Sequence, residues 1–218
     1  MATDQAQATR RSGAGRTGGN DRRTLLLQTA LRLIAEDGID AVSHRAVADA
    51  AGVSLGSTTY WFESRQHMLI ASLEYFIRLE IEGLNERLSG ILGKKLSRRR
   101  LVDEFTALLL PQLEDERWRT VAMYTMMLEA SRQPELEDVC REWTAAWDAA
   151  LADVFASAGA PEPELEAQMF LAMLDGLLLG QLSAPDPDVE EKLIRPALET
   201  WFSRLPVEGR VNRERSTS

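Results

Sequence analysis

The chain is nearly without two residues that carry much enzymatic chemistry. Of its 218 residues one is cysteine, Cys140, and two are histidine, His44 and His67. A single cysteine excludes an internal disulfide and fits a reducing cytoplasm. It reads more readily as a small buried hydrophobe on a helix than as a redox switch. Residues 71–218 hold no histidine, so they cannot supply a histidine-based triad, a zinc site or a Cys–His pair. A carboxylate-only active site is the enzymatic form left open, and nothing in the pattern points to one. No apolar run approaches the roughly 18 residues needed to span a bilayer. The first twenty residues are polar and lack the apolar core of a secretory signal. Gly13–Gly18 spells GxGxxG, but no strand precedes it and no suitably placed acid follows, so it is not a nucleotide loop. The expectation is a protein that is not an enzyme, has no metal or cofactor, and acts away from membranes.

What is present suggests a small module joined to one sizeable core. Apolar residues make up 44% and charged residues 27%, a globular balance. The formal charge of −9 is unevenly spread. Residues 1–70 hold 8 basic and 7 acidic side chains, or +1; residues 71–218 hold 17 and 27, or −10. Acid concentrated in the C-terminal part would repel a polyanion and turn the N-terminal end toward it.

The stretch Val42–Phe62, VSHRAVADAAGVSLGSTTYWF, predicts a short helix, a glycine turn and a second short helix. Ser43 caps the first, with Val47, Ala50 and Ala51 facing inward. Gly52 can take the left-handed turn conformation at no steric cost. Ser54 caps the second helix, Leu55–Trp61, and Ser64 caps a longer one running on toward Leu92. An earlier helix begins at Asn20 or Asp21, buries Leu27, Ala30, Leu31 and Ile34, and ends at Gly38. Met1–Gly19 reads as a disordered basic arm. Arg10, Arg11, Arg16, Arg22 and Arg23 either reach a minor groove or stay solvated.

Ser43, Arg45, Val47, Ala48, then Ala51-Gly52-Val53-Ser54, Gly56, Phe62, Ser64 and Arg65 resemble the N-terminal pattern of the tetracycline-repressor (TetR/AcrR) family. The resemblance covers about residues 22–75. It departs where the family tyrosine falls on Thr59, with Tyr60 one place later, and where Arg65 replaces a lysine. It implies an all-α fold of about nine helices: a helix-turn-helix DNA-binding domain over 20–68, a helical effector-binding and dimerisation domain over 69–205, and a polar tail over 206–218. Leu55, Gly56, Ser57, Thr58 and Thr59 would then meet base edges with methyls and hydroxyls. Ser43, His44 and Arg45 would meet a phosphate at a helix N-terminus. Tyr60, Trp61 and Arg65 would grip the backbone. Ser43, Ser54 and Ser64 can equally be plain caps, Trp61 plain packing, and His44 and His67 ordinary surface histidines.

The remainder reads as five further helices punctuated by Pro134 and by the proline-rich stretches at 159–164 and 184–188. Lys94, Lys95, Arg98, Arg99 and Arg100 read as a solvated corner. A helix over Trp118–Arg132 is apolar nearly all round, as buried helices are. A following helix has a long stripe from Leu136 through Trp143, Trp147 and Leu151 to Val154. Family resemblance makes Trp118, Met123, Tyr124, Met126, Met127, Trp143, Trp147, Met169, Phe170 and Met173 candidates for an apolar effector pocket, since methionine adapts to varied ligands. Each can equally be core. Glu129 and Asp175 sit in apolar company and are candidates to pair with a cationic or hydroxylated ligand.

By the same resemblance the last two helices, about 162–182 and 189–205, build a homodimer. Leu174, Leu177, Leu178, Leu193, Leu198, Trp201 and Phe202 supply apolar area, and Gly176 and Gly180 permit close approach. Pro196 should bend or break the last helix. The function expected is a DNA-binding repressor of a palindromic operator on double-stranded DNA, released by a small, largely hydrophobic effector. The alternative is a DNA-binding protein without a small-molecule effector, such as one regulated by a protein partner.

Overall fold

The computed structural model describes residues 4–92 and 96–207. Among them every regular element is helical. In chain order these are α1 (Asp4–Asp37), a 3₁₀ turn (Ile39–Ala41), α2 (His44–Ala50), α3 (Leu55–Trp61), α4 (Arg65–Leu92), α5 (Arg98–Leu113), α6 (Arg117–Ala130), α7 (Pro134–Ser157), α8 (Pro163–Ser183), a π-helical turn (Glu190–Ile194) and α9 (Arg195–Phe202). The chain divides into two compact units, Met1–Phe76 with Val121–Val139, and Ile77–Thr120 with Cys140–Ser218.

In the first unit, α1 begins earlier than Asn20 or Asp21, and the stretch expected to be disordered is helical backbone from Asp4. No proline interrupts residues 4–37. A helix anchored by its packed C-terminal half extends more easily than it starts. That half buries Leu26, Leu27, Ala30, Leu31 and Ile34, and α2 packs on it through buried Val47 and Ala48. Ala50 is exposed and Ala51 half-buried, so the inward stripe of α2 is narrower than its alanines suggested. Phe62 plugs the end of α3, with Arg23 lying 5.9 Å above its ring. The Arg23 cation is therefore placed over this core aromatic. The Gln28 amide donates to the Tyr75 hydroxyl at 2.9 Å, tying α1 to α4.

The second unit is built around an aromatic cluster. Phe105 of α5, Phe155 of α7, Phe170 of α8 and Phe202 of α9 are each fully buried, with ring centroids 4.9–6.3 Å apart. Four helices thus share one contact, and each buried ring contributes about 1.5–3 kcal/mol. Pro196 does not break the last helix. It sits at the start of α9, directly after the π-helical turn. Proline has no N–H for the ordinary i−4 carbonyl, and the widened turn accommodates that loss. Arg98 and Arg100 are not simply solvated: they donate to the carbonyl oxygens of Leu205 (3.3 Å) and Gly90 (2.9 Å). Arg99 is exposed, and Lys94 and Lys95 lie outside the described residues. The last helix ends at Phe202, short of the 205 expected; the chain beyond it is non-helical as far as buried Val207, and the rest of the expected tail lies outside the described residues. Cys140 is half-buried, and burial pushes its thiol pKa up, away from the thiolate a redox switch would need. Among the described helices α8 alone, 21 residues long with an 18-residue stretch of mean hydropathy 1.2, has the length and composition of a membrane span. One side of it is buried in the aromatic cluster.

Candidate nucleic-acid interface and ligand cavity

The helix-turn-helix is held by local signals. Ser43 is extended, and its Oγ accepts from the Ala46 N–H at 3.1 Å, capping α2. Gly52 has φ +66° and lets the Val53 N–H reach back to the Ala48 carbonyl at 3.0 Å. Ser64 Oγ accepts from the His67 N–H at 3.0 Å and caps α4. Ser54 does not cap α3 with its side chain. Its Oγ lies 3.2 Å from that of Ser57 instead.

α3 then divides into two faces. Leu55 is 51% exposed and Tyr60 78%; Gly56 and Thr59 are exposed, and Ser57 is half-buried. This face carries methyls, hydroxyls and no charge, the chemistry that fits a major groove. Thr58 is not on it. It is fully buried, and its hydroxyl donates to the carbonyls of Leu55 (2.8 Å) and His44 (3.2 Å). A base edge is thus out of its reach, and its bond to His44 sets α3 against α2. Trp61 is half-buried and meets Tyr60 edge-on, with centroids 4.9 Å apart. His44 is half-buried with Nδ1 turned inside. Arg45 is almost fully exposed beside Asp49, a surface pair that leaves it available to a phosphate. Gly56 has room for a side chain: an added Cβ would meet only Ser54 Oγ, at 3.9 Å. The fold therefore does not require glycine there.

Arg65 was expected to grip phosphate. It is committed within the chain: Nε donates to the Val42 carbonyl at 2.8 Å, and Nη2 to the Ile39 carbonyl at 2.6 Å, with Asp40 at 3.4 Å. Its planar fork clamps the segment between α1 and α2 onto the start of α4, which lysine could not do as well.

In the second unit a cavity of about 260 Å³ lies among α4, α5, α7 and the start of α6. Leu79, Leu84, Leu108 and the Trp147 ring form its apolar walls, and Gly83 leaves space at one side. Its polar rim is Glu80, Arg87, Gln112, Glu116 and Arg119, with Arg119 ion-paired to Glu80. Of the residues expected to line a pocket, Trp147 does. Met123, Tyr124 and Met126 are buried in the first unit, as core. Met127 and Trp118 are half-buried outside the cavity lining. Trp143 stacks edge-on with Trp147, and Phe170 is the centre of the aromatic cluster. Met169 is exposed on the outer side of α8, and Met173 is half-buried. Glu129 is already engaged by the Gln133 amide (2.5 Å) and Arg132 (3.1 Å), and Gln133 also accepts from Gln66 at 2.6 Å. These bonds, Gln133 first, hold the Glu129 pKa below its ordinary value. Asp175 is half-buried and has a partner within the chain.

The residues expected at a dimer seam divide as well. Leu174, Leu178, Leu198 and Phe202 are buried in the chain's own core, so they are not free to meet a second copy. Leu177 and Trp201 are half-buried, and Leu193 is exposed. The outward side of α8 carries Leu165, Met169, Ala172, Gly176, Leu179 and Gly180. Periodicity could not select this face, because α8 is apolar all round.

With this geometry in hand, two family models match the chain. One, described as bacterial regulatory proteins of the tetR family, matches residues 26–71. The other, a tetracyclin repressor-like C-terminal domain, matches residues 96–204. A nicotine-responsive transcriptional repressor of Paenarthrobacter nicotinovorans is 20% identical over 190 residues, covering 85% of this chain and 96% of that protein. The solved structure of the multidrug binding protein EbrR complexed with ethidium is 30% identical, with TM-score 0.62, covering 83% of this chain and 98% of that one. A TetR-family member from Streptomyces coelicolor A3 is also 30% identical, with TM-score 0.64, covering 83% and 97%. The capped helix pair, the uncharged outer face of α3 and these likenesses together place the chain in the tetR family of bacterial regulatory proteins, as a DNA-binding transcriptional repressor.

Proposed function

We propose that the chain is a homodimeric repressor whose grip on a palindromic operator is released by a small molecule taken into the α4–α5–α7 cavity. The observation that carries the reading is that cavity itself, walled by Trp147 and opened by Gly83. Similar proteins point the same way: one relative is named for its response to nicotine, and EbrR is complexed with ethidium.

Leu55, Gly56, Ser57 and Thr59 read base edges, while Arg45 and Tyr60 hold phosphates. The outward side of α8 with Leu193 forms the seam. Gly176 and Gly180 support this, because an added Cβ at either meets nothing of the chain within 4 Å. A glycine inside a helix costs about 1 kcal/mol against alanine, and close approach of a second copy offsets it. A two-fold dimer sets its α3 helices about one DNA turn, ~34 Å, apart. Two chain segments reach both units. α4 carries Gln66 and Met68 at one end and Leu79–Arg87 at the other. Residues 117–139 run from Arg119 at the cavity to Gln133 bonded to Gln66. An occupant that favours a shifted α4 or α6 lowers DNA affinity by its differential affinity for that state.

The test is binding to the DNA upstream of the protein's own gene, and to sites selected from a random pool, against random duplex at fixed salt. The reading expects a specificity ratio of about 10³ or more on a palindromic footprint. Equal, weak and salt-sensitive binding to every duplex, including the selected pool, would sink it.

A further inference from the structure

The polar groups of the cavity are not evenly matched. Arg119 is spoken for by Glu80, so that pair brings no net charge. Arg87 is exposed at the rim and makes no ion pair among the described residues. Gln112 donates its side-chain N–H to the Leu108 carbonyl at 3.0 Å, and its side-chain oxygen Oε1 has no hydrogen bond among the described residues. Glu116 is half-buried at the start of α6, and its carboxylate has neither hydrogen bond nor ion pair among the described residues. Trp147, only 7% exposed, forms part of the wall, and its indole N–H has no partner among the described residues.

Apart from Arg87, the uncommitted groups of the lining are therefore chiefly electron-rich: a carboxylate, an amide oxygen and an aromatic face. A half-buried carboxylate without a partner is costly and is relieved by a cation. An indole face attracts the same charge through its quadrupole. Leu79, Leu84 and Leu108 complete an apolar wall for the rest of such a molecule. At about 260 Å³ the space falls below the ~300–1,000 Å³ of drug-sized sites, so its occupant is compact. Gly83 keeps that space clear. It lies in the middle of α4, its φ is not in the left-handed range, and a Cβ there meets nothing within 4 Å.

We propose that the cavity binds a compact organic cation, a quaternary or protonated amine on an apolar body, held by the Glu116 carboxylate and the Trp147 ring. This rests on the reading of the cavity as the effector site.

The experiment titrates the full chain calorimetrically, without DNA. The probes are phenyltrimethylammonium, its neutral carbon analogue tert-butylbenzene, and benzenesulfonate. Saturable binding of the ammonium is expected, at least tenfold tighter than either other probe. Glu116→Gln should weaken it tenfold or more, Gly83→Leu should abolish it by filling the space, and Arg87→Gln should strengthen it a few-fold at low salt. Equal or tighter binding of the hydrocarbon or the sulfonate overturns the proposal. So does an unchanged affinity in Glu116→Gln, or no binding of the ammonium at millimolar concentration. Operator binding is then measured with each probe present. If the ammonium binds with these dependences yet leaves DNA affinity unchanged, the ligand class stands and the gating reading fails. If a neutral or anionic compound releases DNA and Gly83→Leu blocks that release, gating stands and the cation is wrong.

Discussion

The guanidinium of Arg65 and the carbonyl of Val42 meet at 2.8 Å, joining the first turn of α4 to the residue just before the α2 cap. A second nitrogen of the same side chain meets Ile39. One planar group thus fixes the entry to the DNA-binding helix pair. Charge-assisted bonds to backbone oxygens contribute about 1.5–3 kcal/mol each at best, and partial exposure of Arg65 lowers that. Arg65→Ala should destabilise the chain by about 2 kcal/mol in urea denaturation. Arg65→Lys, which cannot span both carbonyls, should recover less than half of that. Unchanged unfolding midpoints in both variants would show that the clamp is incidental.

Gly56 and Thr58, two residues apart, should fail in opposite ways. Gly56→Ala meets no obstruction in the chain and gains up to about 1 kcal/mol of helix propensity. It should melt at or above the wild-type temperature while losing operator affinity at least tenfold. Thr58→Val removes the buried donor to His44 and should cost about 1–2 kcal/mol in stability. Its preference among operator variants should stay as in wild type. Melting curves paired with binding to a mutated operator series decide both cases.

At the outer side of α8, Gly180→Leu should leave the fold intact, because a side chain there meets nothing of its own chain within 4 Å. Sedimentation should show the wild type as a dimer and Gly180→Leu as a monomer, with circular dichroism unchanged. Phe170→Ala, in contrast, removes the hub of the aromatic cluster and should cost about 3–5 kcal/mol. A dimeric Gly180→Leu would place the seam elsewhere.

Glu129 links stability to acid pH. Bonds from Gln133 and Arg132 favour its ionised form and hold its pKa below the ordinary 4.5. A carboxylate whose folded pKa is depressed contributes stability above its unfolded pKa and loses it as pH falls through the folded value. The wild type should therefore lose stability more steeply than Glu129→Gln below about pH 4.5, and the two should run parallel between pH 6 and 8. Parallel curves throughout the acid range would separate Glu129 from acid unfolding.

The helix pair was legible in the sequence because its signals are local: Ser43 before an apolar stripe, Gly52 at a left-handed turn, Ser64 before a long helix. Thr58 was misplaced because a hydroxyl reads as solvent-facing, although a threonine bonded to a nearby carbonyl is content inside. The cavity was largely illegible. Glu80 and Arg87 have the spacing of a solvated helix face, Glu116 lies in the turn before α6, and a void is defined by what is missing. The signal that could have found it was Gly83, a helix-weakening residue in the middle of a strong helix. The outward face of α8, proposed as the dimer seam, was hard to read for a related reason. The most apolar positions of α8, Leu174 and Leu178, are the ones that its own fold consumes. Gly176 and Gly180 lie on its outward side.

The shortness of α3 limits how much information one copy can hold. Seven residues at 1.5 Å each make a probe about 10 Å long, or about three base pairs of duplex at ~3.4 Å per step. Three positions distinguish on the order of 64 sequences, while a genome offers roughly 10⁶ or more competing sites. An address of that brevity recurs everywhere. Uniqueness then has to come from repetition at a fixed interval, so that the ruler between two readings carries as much of the message as the letters themselves.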